Sequence, residues 1–167
     1  MTPRVAPRPL YLMIKPPPLL AAHILASFAP VRRPDLLHMT LLPLGDRAAF
    51  GARGLDRLGG VLDGFQANAF RVALDLLRGD GGWLALCGSE PIRGLLAFQR
   101  TLAGLLARRG LGVRHAFRPH LTLAYRGAAA RNHPVDAISW SADEYLLVES
   151  VVGEARHELI GRWPLTP

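Results

Sequence analysis

The chain has 167 residues, half of them hydrophobic, enough for one core-bearing domain and too apolar for a disordered chain. Its formal charge is +7, and 19 of its 20 basic residues are Arg, with Lys15 the exception. No apolar run reaches the ~18–20 residues of a membrane span, the proline-broken start has no clean leader core, and a lone cysteine excludes an intramolecular disulfide.

Arg forks match phosphate oxygens, so the charge suits a nucleic-acid partner. The same bias toward Ala, Gly, Leu, Pro and Arg also fits GC-rich codons. The expected compartment is a reducing cytoplasm.

"PLYLMIK" (Pro9 to Lys15) predicts a strand stopped by Pro16, Pro17 and Pro18. "LLAAHILASF" (Leu19 to Phe28) predicts a helix whose first turn abuts those prolines. "LLHMTLLPL" (Leu36 to Leu44) predicts a second strand. The spacing of Phe50, Leu55, Leu58 and Leu62 predicts a helix over Arg47 to Phe65, weakened by glycines.

"FRVALDLLRG" (Phe70 to Gly79) and "WLALCG" (Trp83 to Gly88) flank the turn signal "DGG" and predict a hairpin. Pro91 to Gly110 is the strongest helix, with an apolar stripe of Leu95, Phe98, Leu102, Leu105 and Leu106 and a terminating Gly110. "FRPHLTLAYRG" (Phe117 to Gly127) predicts another strand, "GAAARNHP" (Gly127 to Pro134) an exposed loop, and Glu144 to Val152 with His157 to Leu165 a closing strand pair. This mixture of short strands and a few helices predicts α+β or α/β.

The tetrapeptide His-x-Thr-Leu occurs twice, at His38 and at His120. Strand side chains alternate faces, so each His shares a face with its Thr, opposite Met39 and Leu41 in one copy and Leu121 and Leu123 in the other. The apolar partners belong in the core. The His and Thr face outward or into a cleft.

Such a pair of strands suits phosphodiester chemistry. One His can act as base toward water while the other, protonated, serves the leaving oxygen. Thr hydroxyls can bond the non-bridging oxygens. No metal or other cofactor is needed.

"LYLMIKPP", "HMTLLPLG", "FRPHLTLAYR" and "EYLLVES" match, in order and along nearly the whole chain, the pattern of a known family. The sequence resembles the 2H phosphoesterase superfamily, and within it the RNA 2′,3′-cyclic phosphodiesterases once called 2′-5′ RNA ligases. The resemblance implies one bilobal α+β domain over residues 1–167. Its two pseudo-symmetric lobes would line a central cleft with antiparallel sheets and carry their helices outside.

The resemblance also implies that His38, Thr40, His120 and Thr122 line the cleft, with His38 the proton donor and His120 the proton acceptor. The implied partner is RNA with a 2′,3′-cyclic phosphate end, with 2′-5′ joining as the reverse direction. Alternatives are a small cyclic phosphate nucleotide or ADP-ribose cyclic phosphate, or an RNA-binding module that keeps the cleft without turnover. A monomer is expected.

One departure bears on substrate binding. Family members often read His-x-Thr-Leu-x-Arg in the second box, whereas here Tyr125 stands at that position and Arg126 follows. A continuous strand puts Tyr125 opposite His120 and Arg126 beside it; a bulge reverses this. Tyr125 as a stacking ring and Arg126 as the phosphate cation both remain open.

Other chemistry is weaker. "HELIG" lacks the second His of a metalloprotease helix, and no metal site is expected. Cys87 belongs to a core strand. Trp83, Trp140 and Trp163 are base-stacking candidates or core, and His23 is an unreactive helix residue.

Overall fold

A computed structural model describes residues 7–28, 33–125 and 131–167. Among these described residues, eight strands form two antiparallel four-stranded sheets, joined by three helices. The α+β class and the two-sheet architecture expected from the sequence are what the chain adopts.

In chain order the elements are β1 (Pro9–Ile14), α1 (Pro18–Phe28), a short 3-10 turn (Pro34–Leu36), β2 (Met39–Asp46), α2 (Arg47–Asp63), β3 (Phe70–Gly79), β4 (Trp83–Cys87), α3 (Arg93–Arg108), β5 (Leu121–Tyr125), β6 (Arg131–Ala142), β7 (Glu144–Val151) and β8 (Arg156–Pro164). The first sheet has the order β2-β1-β7-β8 and the second β5-β4-β3-β6. Each His-x-Thr box therefore opens a strand at the edge of its own sheet.

Local chemistry explains most boundaries. Pro18 occupies the first helical position of α1, where a missing N–H costs nothing. Asp46 caps α2 by accepting from the Ala48 N–H (2.9 Å). Gly51 breaks that helix after one turn, with φ 59° and ψ −178°. Gly110, at φ 68°, ends α3, and the Leu111 N–H reaches back to the Leu106 carbonyl.

The β3–β4 hairpin turns on Asp80, whose Oδ1 accepts from the Gly82 and Trp83 N–H groups. Leu95, Phe98, Leu102 and Leu106 of α3 are buried in one apolar cluster that takes residues from both sheets and all three helices. The opposite face of the first sheet carries a smaller cluster of Met13, Leu146 and Val148, with Tyr11 packed on it.

Two expectations need correction. Arg131 to Pro134 are not loop: they begin β6 and pair with Gly79 to Leu76 of β3. Their exposed polar side chains give no strand signal, and Pro134 is tolerated because β6 is an edge strand and the ladder is irregular beside it. Residues 127–130 of that segment lie outside the described residues.

Second, the box strands start later than expected. His38 and His120 stand one residue ahead of β2 and β5, and Leu36 belongs to the 3-10 turn. Of the two alternatives left open for the second box, the bulge is present, and neither box strand is continuous. Leu12 faces Leu42 while Met13 faces Thr40, which leaves Leu41 without a partner. Leu84 faces Ala124 while Ala85 faces Thr122, which leaves Leu123 in the same position. Both boxes thus bulge at the Leu of His-x-Thr-Leu.

Candidate active site

The alternation inferred for the boxes holds on the core side. Met39, Leu41, Leu121 and Leu123 are fully buried. His38 and Thr40 are half-buried, His120 is exposed and Thr122 is 9 % exposed.

His38 and Thr40 line a cavity of about 590 Å³ with Tyr11, Arg33, Ser150 and His157. His120 and Thr122 line one of about 750 Å³ with Arg78, Trp83, Phe117 and Arg118. Tyr125 lines both, so the two cavities meet at its ring. All four box residues accordingly line two cavities that have Tyr125 in common.

The bulge at Leu123 explains Tyr125. An extra residue between Thr122 and Tyr125 reverses the strand's parity. Tyr125 therefore comes round to the face of His120 and Thr122, and 66 % of it is exposed. A continuous strand would have put it on the other side. Arg126 lies outside the described residues.

Both histidines are anchored in the same way. His38 Nδ1 stands 2.7 Å from the Leu36 carbonyl, and His120 Nδ1 stands 2.7 Å from the Arg118 carbonyl. A carbonyl oxygen only accepts, so each Nδ1 carries the proton and donates. That leaves Nε2 of each ring for chemistry: a lone pair when the ring is neutral, a donor when it is protonated.

Charges around the two histidines differ. Arg33 makes a two-pronged contact with Asp35, at 3.0 and 2.6 Å. Arg156 pairs with Glu154 (2.9 Å) and Glu158 (2.6 Å). Among the described residues no carboxylate lines either cavity, and the His120 cavity holds Arg78 and Arg118. Burial, and then Tyr125, raise the pKa of the Tyr11 hydroxyl.

The ring neighbours differ too. Trp83 stands 6.4 Å from His120 between centroids, whereas His157 meets His38 edge-to-face at 5.0 Å. Of the three tryptophans, Trp83 alone reaches the cleft. Trp140 is buried in the core, and Trp163 stacks on Tyr145 and donates to Asp63. Cys87 is buried in β4, and burial raises its thiol pKa.

Among the described residues no group of three or more His, Cys, Asp or Glu could hold a metal ion. No helix among them is long and apolar enough to cross a membrane.

Solved structures with this architecture exist. E. coli LigT complexed with 3′-AMP superposes with a TM-score of 0.78 at 26 % identity, covering 96 % of this chain and 99 % of that one. The chain has the fold of the 2H phosphoesterases. A structure described as a phosphoesterase matches at TM-score 0.77 and 24 % identity, over 96 % of this chain and 99 % of the other. The protein TT0787 of Thermus thermophilus matches at TM-score 0.74 and 22 % identity, over 93 % and 97 %. LigT has also been solved with ATP, NADP+ and phosphate. No family model matches the chain, and no curated protein matches it in sequence.

Several residues of this cleft escaped the sequence reading. Phe117 and Arg118 precede the second box directly and were legible as its neighbours. Tyr11 was legible from β1 alternation, sharing a face with Met13. His157, Arg33, Arg78 and Arg156 reach the cleft through tertiary structure alone.

Proposed function

We propose that the chain opens the 2′,3′-cyclic phosphate ends of RNA to 2′-phosphomonoesters. One observation carries this reading: two His-Thr pairs with identically anchored imidazoles line adjoining cavities that meet at Tyr125. Each lobe supplies one pair, so residues 1–167 act as one bilobal unit and a single copy suffices.

His120 Nε2 takes a proton from water as its oxygen attacks phosphorus. The bond from phosphorus to O3′ breaks on the opposite side, and O3′ receives the proton held by His38 Nε2. Thr40 and Thr122 donate to the non-bridging oxygens as charge grows there. A 2′-phosphate and a free 3′-hydroxyl result. A nucleoside 5′-hydroxyl in place of water forms a 2′-5′ phosphodiester by the same exchange. Tyr125 stacks on a base, and Arg78 and Arg118 draw the backbone in.

The test is turnover of a 2′,3′-cyclic phosphate oligonucleotide in EDTA, with the phosphate position in the product identified. No turnover of any cyclic phosphate sinks the reading.

A second reading is a small nucleotide substrate. It is favoured by cavities of nucleotide size and by the nucleotides held in E. coli LigT. Rates that rise steeply with oligonucleotide length favour RNA. Rates independent of length favour the nucleotide.

A further inference from the structure

The two boxes share a sequence, a bulge and an Nδ1 anchor. Identical local structure gives no reason for one ring to donate a proton and the other to accept one. Beyond burial and the surrounding charges, the adjacent ring sets them apart. His120 has an indole beside it, which does not titrate, and His38 has an imidazole, which does.

We propose that His157 is a positioning residue for His38, holding that ring edge-to-face and sharing with it the proton delivered to the leaving oxygen. This rests on the cyclic phosphodiesterase reading above.

The contact is not a local accident. β2 and β8 are the two outer strands of the first sheet. His157, paired with Ser150 of β7, meets His38 across the sheet face, and Tyr11 and Ser150 of the strands between line the same cavity. The interplanar angle is 74°, the edge-to-face arrangement that aromatic rings prefer. With Nδ1 tied to Leu36 and one side braced by His157, the His38 ring has little freedom to turn Nε2 away from the cavity.

Two protonated imidazoles this close repel. The pair therefore takes up its two protons in separate steps that belong to both rings. Between those steps one proton serves two nitrogens.

Among the described residues, the arginines lining the cavities of His157 have carboxylate partners. In the shared cavity Arg33 and Arg156 have carboxylate partners, and the tyrosines are Tyr11 of β1 and Tyr125 of β5. In the adjoining cavity that His157 also lines, Lys15 donates to the Asp35 carbonyl, and Arg162 pairs with Glu144 at 3.3 Å. By ordinary side-chain chemistry, His38 and His157 are the groups here that change charge near neutrality.

The experiment follows the Cε1–H resonance of His38 through a pH titration in the wild-type chain, in His157→Phe and in His157→Gln. Circular dichroism confirms that each is folded. Phe keeps a ring wall without a proton, and Gln keeps polar atoms without a ring. Both should displace the His38 titration by about half a pH unit or more, the effect of a unit charge at this distance even in water. With a 2′,3′-cyclic nucleotide, kcat should fall in both while KM stays within about twofold. A His38 titration in folded His157→Phe that superimposes on wild type overturns the proposal, as does an unchanged kcat. The resonance needs no turnover, so an inactive wild type would sink the functional reading and leave this test standing.

Discussion

Leu41 and Leu123, the fourth residues of the two boxes, occupy equivalent irregular positions: each lies between two registered pairs with no partner of its own. Both side chains are fully buried. The buried Gln99 of α3 donates to the Leu41 carbonyl at 3.4 Å, which meets a backbone acceptor at the first bulge. The Leu in each box is therefore a structural device as well as core. It pins the strand and lets the next residues change face. Leu41→Ala and Leu123→Ala should each cost about 2–5 kcal/mol in urea unfolding. Leu123→Ala should also raise KM, because it loosens the bulge that presents Tyr125. Losses well below that range, with KM unchanged, would show that the bulges do not depend on these side chains.

Removing either imidazole should be far more costly to turnover than to folding. His38 is half-buried and His120 exposed, and each ring's bond is to a carbonyl two residues back. His38→Ala and His120→Ala should each lower kcat by about 10²–10⁴, the usual worth of a general acid or base. Thermal melting should show little change. Full activity in either variant would refute the acid–base pair.

The threonines differ in burial but should act alike on turnover. Thr122 is the more enclosed of the two, at 9 % exposed. Thr40→Val and Thr122→Val should each lower kcat by up to about 10²–10³, as loss of a transition-state donor does. KM should change less than kcat in both. An equal loss confined to KM would make them ground-state binding groups instead.

Much of the fold was legible because its causes are local. The Asp80–Gly82 turn announces the β3–β4 hairpin, and Gly110 announces the end of α3. Alternation alone put Met39, Leu41, Leu121 and Leu123 in the core. What was hidden depends on partners distant in sequence. The exposed start of β6 is a strand because β3 lies beside it, not because Arg131, Asn132 or Pro134 favour one. Nothing in "HLTLAY" marks Leu123 as a bulge, so the face of Tyr125 could not be read from parity. His157 meets His38 only because the first sheet brings its outer strands together over one cavity.

Glu149 anchors the far end of the first sheet. Its carboxylate is 1 % exposed and is held by Arg8 and by Arg47, the latter at 2.6 Å. Cutting one side of a buried ion pair leaves an unmatched charge, which costs about 3–5 kcal/mol. Both arginines are more than a third exposed, so water screens them and the lower end applies. Glu149→Ala should therefore lower stability by about 3 kcal/mol. Arg47→Ala should cost less, since Arg8 still meets the carboxylate. A Glu149→Ala chain as stable as wild type in urea would remove this cluster from the account of the fold.

Acid should weaken the fold through three hydrogen-bonded carboxylates. The Ala48 N–H and then the Arg8 N–H hold Asp46 below the usual carboxylate range. The Ser89 hydroxyl and then its N–H do the same for Asp75, and the Gly82 N–H for Asp80. A carboxylate whose native pKa is depressed adds stability that is complete above its unfolded value, about 3.9. That stability is lost as the pH falls through the lower native value. The urea midpoint should thus stay level in this respect above about pH 5 and fall as the pH is taken below about 4. Asp75→Asn cannot gain or lose that charge, so its midpoint should fall less steeply over the same acid range. Parallel wild-type and Asp75→Asn curves would show that the Ser89 bonds contribute nothing to the acid response.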